Sequence, residues 1–198
     1  MSATLPIRNK HQVRELAEYY LKRGELRNHL LIVVGVHTAL RISDLLRLTW
    51  DDVYDFERNR FRDNIEIVEK KTKKRRLVTL NKTIAAALRL CLQTAEHGEC
   101  PVNHSACLIK SRKGTGCAIS RIQAYRLIRA AAEALGFRDR VSCHSLRKTF
   151  GYHAWKNGVS PAVIMEIYNH SNFAVTRRYL GVTQDDKDAV YRKLAEVI

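Results

Sequence analysis

Residues 141–182 read VSCHSLRKTFGYHAWKNGVSPAVIMEIYNHSNFAVTRRYLGV and hold three histidines, an arginine among apolar neighbours and a tyrosine behind two arginines. No zinc-ligand spacing, glycine-rich phosphate loop or serine elbow accompanies them. His144 and Arg147 are three positions apart, so on a helix they project from one face. Alone, that pair describes the solvated face of a basic helix. His170 is followed nine residues later by Tyr179. Arg41, in TALRISDLLRL, follows the most hydrophobic segment of the chain at a helix junction. A charge there is costly unless it is paired or points into a cleft, and alone it reads as an arginine satisfying helix-end carbonyls. A fourth piece is the run EKKTKKRRLVTL, whose Lys70, Lys71, Lys73 and Lys74 by themselves form a phosphate rake.

Together these residue types describe one chemistry. Guanidinium presents a planar fork to phosphate, so two arginines suit the non-bridging oxygens of a phosphodiester. Those oxygens carry the charge in phosphoryl transfer, where catalysis is mostly positioning and electrostatics. A tyrosine phenol supplies a nucleophile that leaves a stable ester and stores the energy of the broken bond. A lysine can protonate a departing sugar oxygen, and histidines can take the phenolic proton and hydrogen-bond the phosphate. Cationic side chains replace a magnesium ion in such a set, so no metal or other cofactor is expected.

The composition agrees with a polyanionic partner. Thirty-five Lys and Arg against twenty Asp and Glu give a net charge of +15 over 198 residues, which predicts attraction to a polyanion, double-stranded DNA among the candidates, and steep salt sensitivity, although ribosomal and membrane-surface proteins are also this basic. The longest apolar run, LLIVVGV at 30–36, is too short to cross a bilayer. The N-terminus lacks a signal-peptide core. Five cysteines, an odd number, fit free thiols in a reducing compartment better than a disulfide framework. A cytoplasmic protein is expected.

The elements that must position these residues are mainly helical. NKHQVRELAEYYLKR at 9–23 reads as a helix capped by Asn9, with Val13, Leu16, Tyr20 and Leu21 near one face. A second helix covers about 25–38 and is apolar enough in its second half to be central to the core. RISDLLRL forms a short third. Period-two alternation in NIEIVEK and RRLVTL predicts an antiparallel hairpin over about 64–80 with a lysine-packed turn. Helices follow at 82–96 and 119–135, the latter with Ser120 as cap and Gly136 as stop, and then three or four short helices to the C-terminus. The fold class is mainly α with a small antiparallel sheet, in one domain spanning 1–198.

At this point the motifs resemble a known family. The chain is similar to the catalytic domain of the tyrosine recombinases, or phage-type integrases. TALRISDLLRLTWDDV resembles the family's T-G-L-R-I-S-E-L-L motif, KKTKKRRLVTL its lysine-bearing hairpin, HSLRKTF its H-x-L-R-H-T-F box, and NHSNFAVTRRY its L-G-H-S-S and T-x-x-R-Y segments. The resemblance implies a site-specific recombinase in which Arg41 and Arg147 clamp the phosphate and Lys71 protonates the leaving 5′ oxygen. It further implies that His144 exchanges the proton of Tyr179, that His170 bonds the scissile phosphate, and that Tyr179 attacks to leave a 3′-phosphotyrosyl ester. Lys71 is chosen over Lys70, Lys73 and Lys74 by counting back from RLVTL to the family's lysine. Two reactions share this chemistry or fold: a type IB topoisomerase-like relaxation, and a non-catalytic DNA-binding accessory role.

Departures from the family pattern mark particular positions. Asn169 stands where the family has glycine, and asparagine tolerates left-handed backbone. Lys148 replaces a common histidine and is expected to touch DNA or solvent. The pattern begins within the first dozen residues, leaving no separate N-terminal core-binding domain, as in a truncated chain or in short stand-alone members such as the fimbrial-switch invertases. His97, Cys100, His104 and Cys107 have potential zinc-ligand types, although the family has a variable loop here. Lys73, Lys74, Lys110, Arg112, Lys113, Arg121 and Arg126 are candidate backbone contacts, and the helix at 119–135 is either a groove reader or a basic surface helix. The final segment, about 183–197, predicts an amphipathic helix with Val190, Leu194 and Val197 along one side. By the resemblance it packs on a neighbouring protomer, giving a homodimer or homotetramer assembled on DNA.

Overall fold

The structure, a computed structural model, describes residues 4–94, 104–112 and 117–194. Asn9 starts the first helix, α1 (Lys10–Leu21), its Oδ1 accepting the His11 N–H at 2.8 Å. The apolar run becomes α2 (Leu26–His37), whose residues 28–36 are all buried. It is the central rod, packed by α1, by α4 (Lys82–Thr94) and by α6 (Cys143–Lys156). Gly35 allows the last of these contacts: a Cβ there would lie 2.6 Å from Leu146 Cδ1. Short α3 (Ile42–Leu45) follows α2, and α5 (Arg121–Ala134), capped by Ser120, closes the core against α1, α2 and α6.

The predicted hairpin is β3 (Asn64–Val68) paired antiparallel with β4 (Arg75–Thr79), with Ile65 opposite Val78. Both of those side chains face the core while Val68 and Leu77 are exposed, as a half-buried period-two strand requires. A smaller hairpin, absent from the sequence reading, joins β1 (Tyr54–Asp55) to β2 (Arg60–Phe61). Its two-residue strands are too short to show any period.

After α6 the chain packs α7 (Pro161–Ile167) and α8 (Phe173–Leu180) against it, then runs into α9 (Gln184–Leu194). Ala39, Ile164, Tyr168 and Leu180 form a second, smaller buried cluster there, with Phe150 and Tyr179 packed on it. Tyr168 fits only because residue 151 is glycine: a Cβ at Gly151 would lie 2.3 Å from the Tyr168 hydroxyl. That hydroxyl donates to the Arg147 carbonyl at 2.6 Å. Gly151→Ala is therefore expected to destabilise the protein by about 1–3 kcal/mol through overpacking, despite alanine's higher helix propensity. Urea unfolding of the two proteins checks it, and a more stable variant would contradict this packing.

Candidate active site

The site is built where three chain ends meet: the C-terminus of α2, the N-terminus of α6, and the turn between α7 and α8. Ser142 caps α6 with a capping box, its Oγ accepting from the His144 N–H and its own N–H donating to Ser145 Oγ. This places His144 in the first turn and Arg147 one turn further in. Past α2, Ala39 adopts a left-handed backbone with φ of +54°, which turns the chain so that Arg41 becomes the N-cap of α3. Asn169 is likewise left-handed, φ +54°, as its place in the sequence requires.

Arg147 is 1% exposed. Its Nη1 donates to the Ala39 carbonyl and its Nη2 to the Tyr168 carbonyl at 2.9 Å, while its Cζ lies 4.6 Å from the centre of the Tyr168 ring. Two of five guanidinium donors are thus committed, and among the described residues Nε has no hydrogen-bond partner. Burial and the nearby Arg41 lower its pKa, but arginine remains cationic in any protein setting. Arg41 does not satisfy helix-end carbonyls. Arg147 and Arg76 do that for Ala39 and Thr38, leaving Arg41 to donate to Glu69 Oε2 at 2.7 Å.

Tyr179, on α8, reaches the same pocket. Its hydroxyl lies 3.4 Å from His144 Nε2, its ring centre 4.9 Å from that of His170, and the Arg147 Cζ 5.9 Å from its ring centre. His170 stacks on Tyr168 and shares a 3.0 Å hydrogen bond between its Nδ1 and Thr176 Oγ1. In the tautomer whose Nδ1 accepts from the buried threonine, Nε2 carries the proton and is a donor for an anion. Burial, then Arg147 and Arg41, push the His170 pKa down to about 4. Burial, then Arg147, Lys148 and Arg41, lower that of His144. Both rings are neutral at pH 7, and a neutral His144 can accept the phenolic proton.

Of the six candidate catalytic residues, His144, Arg147, His170 and Tyr179 are in ring or hydrogen-bond reach of one another, and the charge of Arg41 acts on His144, Arg147 and His170. Lys71 stands exposed in the β3–β4 turn, two positions from Glu69. Lys148 differs from expectation: it is buried, and its ammonium donates to the Thr4 carbonyl and lies 5.5 Å from the Tyr179 ring centre. Solvent is therefore not its environment, because the N-terminal segment covers it. That segment is itself pinned, with Ile7 N–H donating to Thr149 Oγ1 and Arg8 to the Gly181 carbonyl. Lys73, Lys74, Lys110, Arg112, Arg121 and Arg126 are exposed, and Lys113 lies outside the described residues.

His97 and Cys100 also lie outside the described residues. His104 instead stacks on Phe56 and faces Asp51 at 3.6 Å, and among the described residues no group of three or more His, Cys, Asp or Glu is arranged to hold a metal. Cys91, Cys107, Cys117 and Cys143 are free thiols, that of Cys143 pushed up to about 11 by burial. No helix among the described residues is long and apolar enough to cross a membrane.

Sequence reasoning missed Glu69 and Arg76. Glu69 is fully buried, accepts from Arg41 and Thr72, and faces Arg76 at 3.8 Å. Burial works against its charge, yet the hydrogen bonds from Thr72 and Arg41 hold its carboxyl below the usual range. Burial and Arg147 push Arg76 down to about 10, so it too is a cation. The signal was present: continuing the period of two from Ile65 and Ile67 puts Glu69 on the inner face.

The phage integrase family model matches residues 8–185. The chain is 34% identical over 192 residues to the probable integrase/recombinase YoeC of Bacillus subtilis, covering 97% of each. It is 29% identical over 163 residues to the tyrosine recombinase XerD of Mycobacterium leprae, covering 80% of this chain and 49% of that protein. The crystal structure of the XerA recombinase superposes with a TM-score of 0.75 at 20% identity, over 97% of this chain and 66% of that one. The XerH recombinase bound to its difH substrate gives 0.69 at 23%, over 96% and 54%. The chain thus spans the length of YoeC but about half of XerD and of XerH. It belongs to the phage integrase family, and the class so defined is the tyrosine site-specific recombinases.

Folded His170 binds its proton only near pH 4 while the unfolded residue binds it near 6.5. Stability therefore falls as pH drops through that window, where the unfolded state binds more protons. His170→Gln is expected to lose less stability than the unaltered protein between pH 6.5 and 4, read from urea midpoints. Identical pH slopes would mean that the ring is not held neutral.

Proposed function

We propose that the chain cleaves and rejoins duplex DNA in site-specific recombination through a 3′-phosphotyrosyl intermediate. The observation that carries this reading is the 3.4 Å approach of the Tyr179 hydroxyl to His144 Nε2, with Arg147 and His170 beside the Tyr179 ring. Catalytic hydrogen bonds are often this long before substrate binds.

In this reading the scissile phosphate enters between Arg41 and Arg147, using Arg147's free donors and the Nε2–H of His170. The phenol oxygen of Tyr179 forms the new bond to phosphorus as its proton passes to His144. The bond from phosphorus to the 5′ oxygen breaks, and Lys71 gives that oxygen a proton. One phosphate ester replaces another, so no nucleotide hydrolysis drives the step. A 5′ hydroxyl of the partner strand reverses it, with His144 returning the proton to the phenol. The exposed cations from Lys73 to Arg126 contact the DNA backbone, and the reaction takes place in the cytoplasm.

Tyr179→Phe is expected to bind DNA but form no covalent adduct on a nicked suicide substrate that traps the unaltered protein. Arg41→Ala or Arg147→Ala should lose about 3–4 kcal/mol of transition-state stabilisation, by analogy with a lost charge-stabilising donor. Plasmid relaxation without strand exchange would favour the topoisomerase reading, and binding without any adduct the accessory one.

Assembly follows from α9. Its Val190 and Tyr191 are 57% and 74% exposed, while Asp186 anchors its start to Thr183 and Lys156. An apolar side left in solvent on an anchored helix fits docking on a neighbouring protomer on DNA. Val190→Ser with Tyr191→Ser is expected to leave DNA binding by one protomer intact and abolish higher-order complexes in native gels. Unchanged complexes would remove α9 from the interface.

A further inference from the structure

The mechanism above gives no task to Glu69, although it is fully buried against cations of the site. An isolated carboxylate in such a position is costly, so its partners have to explain it. Those partners come from two sides. On one, Arg41 donates to Oε2 at 2.7 Å, Arg76 faces Oε1 at 3.8 Å, and the charge of Arg147 also acts on the group. On the other, the Thr72 hydroxyl donates to the same Oε2 at 2.6 Å. The backbone of Glu69 closes the lysine turn as well: its N–H donates to the Lys74 carbonyl at 3.0 Å and its carbonyl accepts from the Lys73 N–H at 2.9 Å.

Lys71 sits inside that closed turn, immediately before Thr72. A lysine carries three donors on a flexible four-carbon stem and has no fixed direction of its own. Its aim at the leaving oxygen depends on the turn that bears it. The turn is fastened at a second point, where the Lys70 N–H donates to Asp44 Oδ1 at 2.9 Å. Asp44 otherwise meets the Arg47 guanidinium, at 3.9 Å, which is not one of the two candidate phosphate clamps. Among the described residues it is Glu69 that links the turn to the Arg41 guanidinium, through one oxygen shared by Thr72 and Arg41.

We infer that Glu69 is a positioning residue that registers the Lys71-bearing turn against the Arg41 clamp, so that proton donor and phosphate are placed together. This rests on the proposed strand-cleavage chemistry, in which Lys71 protonates the departing 5′ oxygen. Glu69 touches no reacting atom. It acts by holding the turn at a fixed distance from the arginine that receives the phosphate.

The test uses two DNA substrates, one with an ordinary scissile phosphodiester and one whose bridging 5′ oxygen is replaced by sulfur. A thiolate is a far weaker base than an alkoxide and leaves without a proton, so the sulfur substrate needs no general acid. Single-turnover cleavage and DNA affinity are measured for the unaltered protein, Lys71→Ala, Glu69→Ala and Glu69→Gln. Glu69→Ala is expected to cleave ordinary DNA about a hundredfold more slowly, the size of a misplacement of about 1 Å. On the sulfur substrate it should recover most of that loss, as Lys71→Ala does, with no loss of DNA affinity. Glu69→Gln keeps the shape and an acceptor for Thr72, and should show the same pattern at smaller size even where the alanine variant folds poorly.

Equal loss on both substrates would overturn the inference, because the carboxylate would then serve the clamp or the fold and not the turn. So would an ordinary rate for both Glu69 variants. Failure of the underlying reading looks different: the unaltered protein would form no adduct, or Lys71→Ala would not be rescued by sulfur.

Discussion

A guanidinium sealed from water has to be met by oxygen, and Arg147 is met by two main-chain carbonyls from opposite directions. One belongs to Ala39 beyond α2, the other to Tyr168 at the end of α7. The side chain therefore ties the central rod of the core to the small helical cluster that carries Tyr179. Losing one partner of a buried charge costs far more than the bond contributes, because the other is left unpaired. The residue proposed as a phosphate clamp is thus also a structural tie. The close packing at Gly35 and Gly151 serves that arrangement by letting α6 and Tyr168 come near enough for it to exist.

The electrostatics follow from the same burial. Arg41, Arg76 and Arg147 crowd one region with Glu69 as their carboxylate partner. An excess of positive charge in a partly desolvated region suits a phosphodiester, so under the proposed function binding and catalysis draw on the same groups. It also sets the state of both histidines. Their pKa values are lowered by burial first and by the arginines next, so one ring accepts a proton and the other donates a hydrogen bond without carrying charge.

Much of this was legible in the residues. Helical periodicity and caps located α1, α2 and α5 closely, because Asn9 and Ser120 make local bonds that do not depend on the rest of the chain. Alternation located β3 and β4, and the motifs located five residues of the pocket. What escaped depends on contacts remote in sequence. Arg76 reads as one more cation in a basic strand until Thr38 and Ala39 bring their carbonyls to it. Lys148 reads as exposed until Thr4, at the far end of the chain, covers it. Glu69 lay within reach of the strand period, but a run of lysines drew attention to the charges around it.

The left-handed torsion at Ala39 gives the pocket an adjustable joint made of main chain. An L-residue resists that conformation, and glycine does not. Whatever side chain occupies the position thus sets how firmly one peptide group is presented to the guanidinium below it. Descendants of this chain can stiffen or loosen their chemistry at a methyl-sized position that never meets the substrate.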